Sequence, residues 1–161
     1  MKRADQIPNK IFELSAAIRL VAQWRVKGKT IAFTNGVFDL LHEGHLYLLS
    51  EAGKLGDVLI VAVNSDASVK RLKGDNRPIE ELAIRCKHLA ELDDVQYIIS
   101  FEEDTPIQLI RHLHPHVLVK GGDYAADKIA GAEFVIQCGG EVVIIPLLEG
   151  YSTTKIIAEK K

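Results

Sequence analysis

The sequence has few of the features that mark secreted, membrane or nucleic-acid-binding proteins. Its 161 residues include two cysteines, Cys86 and Cys138, outside any CxxC motif, which is typical of reduced thiols in a cytoplasmic protein. The formal net charge of −2 provides no basic field for nucleic acid and no polybasic membrane anchor. No apolar run reaches the roughly 18 residues of a membrane span, and MKRADQIPNK lacks the apolar core of a signal peptide. We therefore expect a cytoplasmic protein whose partners are neither nucleic acids nor membranes.

Several common catalytic motifs are missing as well. The sequence contains no GxxxxGK[ST] phosphate loop and no GxSxG nucleophile motif. It also lacks a GxGxxG dinucleotide motif, because Gly36 is the one glycine between the first apolar run and the next helix. Neither cysteine stands in the sequence context of a nucleophile. These absences favour direct attack by a bound substrate over a covalent enzyme intermediate.

What the sequence does contain is a regular alternation of short apolar runs and amphipathic segments. It predicts strands at 30–34, 57–66, 95–100, 116–121 and 141–147 and helices at 11–26, 44–55, 81–92, 105–113, 127–138 and 152–160. The segment 69–78, VKRLKGDNRP, indicates a mobile basic loop. This pattern predicts an α/β fold with a doubly wound, five-stranded parallel sheet, in one domain over 1–161 with 1–28 as an N-terminal helical extension. Ligands of such sheets bind outside the carboxyl ends of the strands.

The segment 34–45, TNGVFDLLHEGH, places two histidines at the predicted start of a helix after the first strand. His42 and His45 are three residues apart and so share one helix face. Unpaired N–H groups at a helix N-terminus attract anions, and Gly44 lets a phosphate approach the backbone closely. Two imidazole donors there suit charge developing on a transferred phosphoryl group. Two alternatives stay open: a metal site formed with Asp39, and histidines with no chemical role.

Three further motifs follow predicted strands. In EGYSTTK (149–155), the hydroxyls of Ser152, Thr153 and Thr154 open the last helix and can bind phosphate, or act as a simple N-cap. In KGGDY (120–124), Gly121 permits close approach and Asp123 can accept from ribose hydroxyls, although a glycine turn explains the motif equally well.

The third of these motifs is the basic loop. Lysine and arginine side chains in a mobile loop can close over a polyphosphate or remain solvated. Its cations are Lys70, Arg71, Lys73 and Arg77. Arg85, further along the chain, lies on an amphipathic helix, and the default interpretation is a surface residue.

These motifs together resemble the HxGH nucleotidyltransferases of the cytidylyltransferase-like superfamily. Within it, the chain is similar to the heptose-1-phosphate adenylyltransferase branch. The supporting segments are TNGVFDLLHEGH, VNSDASVKRLKGDNRPI, FEEDTP, VLVKGGDY, IAG and EGYSTT. The resemblance implies that the phosphate of D-glycero-β-D-manno-heptose 1-phosphate attacks the α-phosphorus of ATP, giving ADP-heptose and pyrophosphate. It also implies a Mg²⁺ ion bridged by the substrate phosphates without protein ligands, small-molecule partners and a homodimer.

The resemblance further implies roles for individual residues. The catalytic residues would be His42, His45 and Lys73. The nucleotide would be bound by Thr34, Asn35, Gly36, Phe38, His42, His45, Arg77, Arg85, Gly121, Asp123, Ser152, Thr153 and Thr154. The acceptor substrate would be bound by Asp39, Asn64 and Asp66.

One position departs from a related pattern. Glycerol-phosphate cytidylyltransferases carry an arginine two residues before the Glu-Gly of the last motif, where this chain has Leu147. The departure makes an alcohol phosphate such as glycerol 3-phosphate a weaker candidate acceptor. A cytidylyltransferase of that kind and a catalytically silent nucleotide-binding regulatory module remain the two alternatives.

Overall fold

A computed structural model of the chain describes residues 10–122 and 128–146. The strands are β1 (Ile31–Gly36), β2 (Val58–Asn64), β3 (Tyr97–Phe101), β4 (Val117–Gly121) and β5 (Glu141–Ile145). The helices are α1 (Leu14–Val26), α2 (Glu43–Gly53), α3 (Asp66–Lys73), α4 (Leu82–Ala90), α5 (Ile107–Leu113) and α6 (Ala132–Gln137). The predicted final helix at 152–160 lies outside the described residues.

The five strands form one sheet in the order β3-β2-β1-β4-β5, and every neighbouring pair is parallel. From β1, the strands β2 and β3 extend the sheet to one edge. Helix α5 then connects β3 to β4, which lies on the other side of β1. The predicted doubly wound parallel sheet is therefore confirmed. The change of direction leaves a crevice between the carboxyl ends of β1 and β4, which is where ligands of open α/β sheets bind.

Side-chain alternation along the strands builds a core on each face of the sheet. On one side, called the α2 face, Ala32 and Val61 pack with Leu49 and with residues of α4. On the other side, called the α5 face, Phe33 and Ile60 pack with residues of α1, α5 and α6. Strands covered on both sides need unbroken apolar runs, and all seven residues of β2 are buried.

The structure corrects two local predictions. The strand predicted at 30–34 is longer than expected, because Asn35 and Gly36 continue β1 and pair with Ala62 and Val63 of β2. The first half of the expected basic loop is helix α3. Ser65 caps this helix by accepting a 3.2 Å hydrogen bond from the Ser68 backbone N–H, and the helix buries Ser68 and Val69 against the sheet.

Helix α1 packs against the sheet, because Ala17 and Val21 belong to the α5-face core. Among the residues described, no helix combines the length and the apolar character that crossing a membrane requires.

Candidate active site

His42 and His45 form a stacked pair at the N-terminus of α2. Their ring centroids are 3.8 Å apart and the ring planes differ by 23°. His42 is the N-cap residue, and its Nδ1 accepts a hydrogen bond from the Gly44 backbone N–H at 3.1 Å. His45 Nδ1 accepts in turn from the His42 backbone N–H at 3.3 Å. The two side chains therefore cap their own helix reciprocally, as Ser and Glu do in a capping box.

This capping assigns the protons of both imidazoles. A neutral imidazole has one donor and one acceptor nitrogen, so rings that accept through Nδ1 carry the proton on Nε2. Burial lowers the pKa of His42. Burial, together with the neighbouring His42, lowers the pKa of His45 to about 4 despite the opposing effect of Asp39. Around pH 7 His45 is therefore a neutral Nε2–H donor.

The loop between β1 and α2 has an unusual backbone that holds the pair in place. Phe38 and Leu40 adopt φ angles of 53° and 54°, in the left-handed region that non-glycine residues rarely occupy. The Phe38 ring lies 5.5 Å from the His45 ring and is buried. A Cβ atom added at Gly36 would lie 3.1 Å from the Phe38 ring. Gly36 therefore leaves the space that the Phe38 ring occupies.

Asp39 anchors this loop to the segment before α4. Its Oδ2 accepts from the Ile79 backbone N–H at 2.7 Å and from Arg77 Nε at 3.2 Å, and its Oδ1 accepts from the Glu80 backbone N–H at 2.9 Å. Leu40 N–H donates back to Glu80 Oε1 at 3.0 Å. Both carboxylate oxygens of Asp39 are thus engaged by the protein, and the buried Arg77 is its ion-pair partner.

Arg85 corrects the expectation of a surface residue, because its side chain is fully buried, with 0% exposed. Its guanidinium donates four hydrogen bonds within 2.7–2.9 Å. The acceptors are the backbone carbonyls of Glu80, Val37 and Asn64 and the carboxylate of Asp66. Arg85 joins the β1–α2 loop to the end of β2 and presents no exposed atom to a nucleotide base, so it positions the site from beneath.

The remaining predicted residues on β1 and β2 are buried to different degrees. Thr34 is fully buried, and its Oγ1 has no hydrogen-bond partner within the described part of the chain. Asn64 is buried, and its side-chain amide donates to Ser68 Oγ at 3.1 Å. Asn35 instead lines a cavity at the end of β1.

That cavity identifies a residue that the sequence analysis missed. It has a volume of about 230 Å³ and is lined by Asn35, Asp104, Thr105, Pro106, Lys120, Lys128, Ile129 and Ala130. Lys120 is half-buried at the end of β4, and burial, with a smaller contribution from the positive charge of Lys73, lowers its pKa. Lys73 itself is exposed at the end of α3 and close enough to Lys120 to influence it. Lys120 is the first residue of the KGGDY motif, in which the sequence indicated roles only for Gly121 and Asp123.

Gly121 lies at the end of β4, next to Lys120. Asp123, Ser152, Thr153 and Thr154 lie outside the described residues, as does Leu147. Their expected contacts with the nucleotide stay predictions.

A metal site formed by His42, His45 and Asp39 would lack its carboxylate ligand. Both oxygens of Asp39 accept hydrogen bonds, and the Nδ1 atoms of His42 and His45 accept from backbone N–H groups. Over residues 10–122 and 128–146, no group of three or more His, Cys, Asp and Glu side chains is arranged to hold a metal ion.

A doubly wound sheet with an HxGH pair capping the helix after β1 defines a nucleotidyltransferase of the HxGH type. The cytidylyltransferase-like family matches this chain over residues 33–159, and the chain belongs to that family. The superfamily and the fold class predicted from the sequence are thus confirmed.

Two relatives and two solved structures illustrate the similarity. The bifunctional protein HldE of Rhodopseudomonas palustris (strain BisB18) is 51% identical, over 86% of this chain and 28% of that protein. HldE of Hydrogenovibrio crunogenus is 56% identical, over 81% and 27%. The chain therefore spans under a third of the length of these relatives.

Among solved structures, the lipopolysaccharide core biosynthesis protein from Thermoplasma volcanium GSS1 has a TM-score of 0.60 at 31% identity, covering 78% of this chain and all of that one. Pantoate-beta-alanine ligase from Francisella tularensis, at 18% identity and a TM-score of 0.59, shares the fold over 95% of this chain and 77% of its own.

Proposed function

We propose that the protein transfers AMP from ATP to D-glycero-β-D-manno-heptose 1-phosphate, giving ADP-heptose and pyrophosphate. The observation that carries the proposal is the pair of imidazoles at the N-terminus of α2, each with Nδ1 occupied by a backbone N–H. The similarity to HldE proteins and to a lipopolysaccharide core biosynthesis protein supports a heptose phosphate as the acceptor.

The reaction is a single displacement at phosphorus. An oxygen of the sugar phosphate forms a bond to the α-phosphorus of ATP, and the bond from that phosphorus to the α–β bridging oxygen breaks as pyrophosphate leaves. Charge accumulates on the non-bridging and leaving oxygens, and catalysis of such a step consists of positioning and electrostatic stabilisation.

The histidine pair supplies that stabilisation without transferring a proton. A neutral ring whose proton is on Nε2 donates a hydrogen bond to a phosphate oxygen, while its Nδ1 is already used within the helix. Because the backbone fixes both rings, they need no reorganisation when charge develops. The positive end of the α2 dipole adds to the same field.

The Mg²⁺ ion proposed for this reaction neutralises triphosphate charge when it is bound. Imidazoles are poor ligands for this hard cation, which prefers oxygen. The donor set of the described site therefore fits an ion that arrives on the triphosphate, held by phosphate oxygens. The role of the chain is to orient the triphosphate with His42 and His45.

The substrates are thus small molecules, and an ATP-dependent reaction agrees with the cytoplasmic location expected from the sequence. A homodimer stays a prediction that sedimentation velocity would test.

The decisive experiment measures pyrophosphate release with each nucleoside triphosphate and a panel of acceptors. We expect release with ATP and heptose 1-phosphate, and little with CTP or with glycerol 3-phosphate. Release only with CTP and an alcohol phosphate would replace the proposal by a cytidylyltransferase. Triphosphate binding in calorimetry without turnover of any acceptor would indicate the regulatory module instead.

A further inference from the structure

The three side chains expected to bind the acceptor are used by the protein itself. Asp39 accepts from Arg77 and two backbone N–H groups, Asn64 donates to Ser68, and Asp66 receives a hydrogen bond from Arg85 at 2.7 Å. Asp39 and Asn64 are buried, so breaking their interactions to bind a sugar would leave charged or polar groups unsatisfied. Asp66 is partly exposed, but its carboxylate is the ion-pair partner of the buried Arg85. We therefore expect other partners of the acceptor at the same edge of the sheet.

The cavity at the ends of β1 and β4 offers them. Its walls combine a cation at Lys120, an amide at Asn35 and a hydroxyl at Thr105. Asp104 also lines the cavity, but its carboxylate is paired with Arg71 at 2.9 Å. A phosphate requires positive charge, whereas sugar hydroxyls require both donors and acceptors, and this mixture supplies both. Its volume of about 230 Å³ suits a small ligand, since pockets for drug-sized molecules run from roughly 300 to 1,000 Å³.

The cavity and the histidine pair lie on opposite faces of the sheet. Asn35 follows Phe33 by two residues, and Lys120 follows Leu118 by two, so both project to the α5 face, where Phe33 and Leu118 are buried. The histidines belong to α2, on the other face. Because β1 and β4 are neighbours at the crevice, a phosphorus held between them is approachable from both sides.

That arrangement matches the geometry of the displacement. Attacking and leaving oxygens lie roughly in line through the phosphorus. Pyrophosphate leaving toward the N-terminus of α2 then requires the acceptor to enter from the α5 face. Lys73 and Lys120 are close enough for the charge of one to affect the other, so an anion near them relieves repulsion between two cations.

We propose that this cavity is the acceptor subsite, in which Lys120 binds the phosphate of the sugar 1-phosphate while Asn35 and Thr105 hydrogen-bond its hydroxyl groups. The inference rests on the proposed function and deepens it by naming the residues that select a phosphorylated sugar. Lys128, at the exposed rim of the cavity, adds a second positive charge.

The test replaces Lys120 and separates the two substrates kinetically. Initial rates of pyrophosphate release are measured with Lys120→Met, which removes the charge at similar length, and with Lys120→Arg, which keeps it. For Lys120→Met we expect the KM for heptose 1-phosphate to rise at least about tenfold, the cost of a lost charged hydrogen bond, with the KM for ATP within about twofold. Lys120→Arg should recover part of the loss.

The matched control is Lys54→Met, which removes an exposed lysine paired with Glu51 after α2 and should leave both KM values unchanged. A thermal melt of each variant shows whether the fold is kept. A rise in the KM for ATP alone, or for both substrates equally, would assign Lys120 to the nucleotide and overturn the inference.

A calorimetric arm keeps the inference distinct from the proposed function. If the wild-type protein turns over no sugar phosphate with any triphosphate, the proposed function fails. Heptose 1-phosphate titrated without nucleotide then decides the subsite: weaker binding to Lys120→Met than to wild type supports it. Equal binding to both, or binding to neither, contradicts it.

Discussion

Two polar clusters flank the loop between β1 and α2, and they use their hydrogen-bonding groups in opposite ways. In the histidine pair, the Nδ1 atom of each ring accepts a hydrogen bond from a backbone N–H group at the start of α2, so the proton of each ring is on Nε2. In the cluster of Asp39 and Arg85, both carboxylate oxygens and four guanidinium hydrogen bonds are directed to the protein. The first cluster caps α2 beside the carboxyl end of β1, where ligands of such sheets bind, whereas the second holds the loop in a conformation with two positive φ angles.

The difference shows that a charged side chain near a site is not thereby a substrate ligand. A fully buried cation must be satisfied by the protein before any substrate arrives, because an uncompensated buried charge is costly. Neutral imidazoles avoid that cost, and in the proposed mechanism their Nε2–H groups donate to the charge that develops on the phosphate oxygens. We therefore expect a substitution in the Asp39–Arg85 cluster to lower mainly the stability of the protein, and a substitution in the histidine pair to lower mainly kcat.

The largest expected effect is on stability, from Arg85→Met. The substitution leaves three backbone carbonyls and the Asp66 carboxylate without their donor. We expect the free energy of unfolding to fall by about 3–5 kcal/mol, as for removal of one member of a buried charged network. Chemical denaturation followed by circular dichroism measures it.

The control for this variant is Arg19→Met, which makes the same chemical change at an exposed position on α1 and should cost less than about 0.5 kcal/mol. If Arg85→Met proved as stable as this control, the buried arginine would not hold the loop.

The second prediction concerns activity and His45. Removing one preorganised donor in His45→Ala should lower kcat by about 10²–10³-fold. The lost contact to the His42 backbone N–H should cost only about 1 kcal/mol of stability, as for a helix cap. His45→Gln, whose side-chain amide can place a donor near the position of Nε2, should retain more activity than His45→Ala.

His112→Ala, an exposed histidine on α5, serves as the control and should keep wild-type kcat. Wild-type turnover in His45→Ala would remove the histidine pair from the mechanism. A stability loss as large as that of Arg85→Met would erase the distinction between the two clusters.

The sequence predicted the parts of this picture that depend on local pattern. The apolar run of β2 indicated a strand covered on both faces, and the HxGH spacing indicated a paired site at a helix start, because both are properties of neighbouring residues. Helix α3 was missed because it is short and its exposed face carries Lys70, Arg71 and Lys73, a composition that also suits a loop.

The roles of Asp39, Arg85 and Lys120 depend on contacts between distant parts of the chain. Asp39 is bound by Arg77, Ile79 and Glu80, about forty residues away in sequence, and no local pattern shows that its carboxylate is occupied. Lys120 gains its environment from β1 and the start of α5, which the fold brings beside it. Burial of a charged side chain is thus the property that one sequence alone did not reveal.

The smallest effect, and the most direct comparison of the two clusters, is the response of His45 to pH. Its pKa is about 4 in the folded protein, whereas an unfolded histidine titrates near 6.5. Between these values the unfolded chain binds a proton that folded His45 does not, so the free energy of unfolding falls as the pH falls from about 6.5 toward 4. Burial also lowers the pKa of His42, which acts in the same direction.

Nitrogen-detected NMR should show the Nε2–H tautomer of His45 unchanged through this window in the native protein, while the same histidine in urea titrates near its ordinary value. A native His45 that protonates near pH 6.5, or that carries its proton on Nδ1, would mean that the ring is not locked by the helix backbone and that the two clusters differ less than their hydrogen bonds indicate.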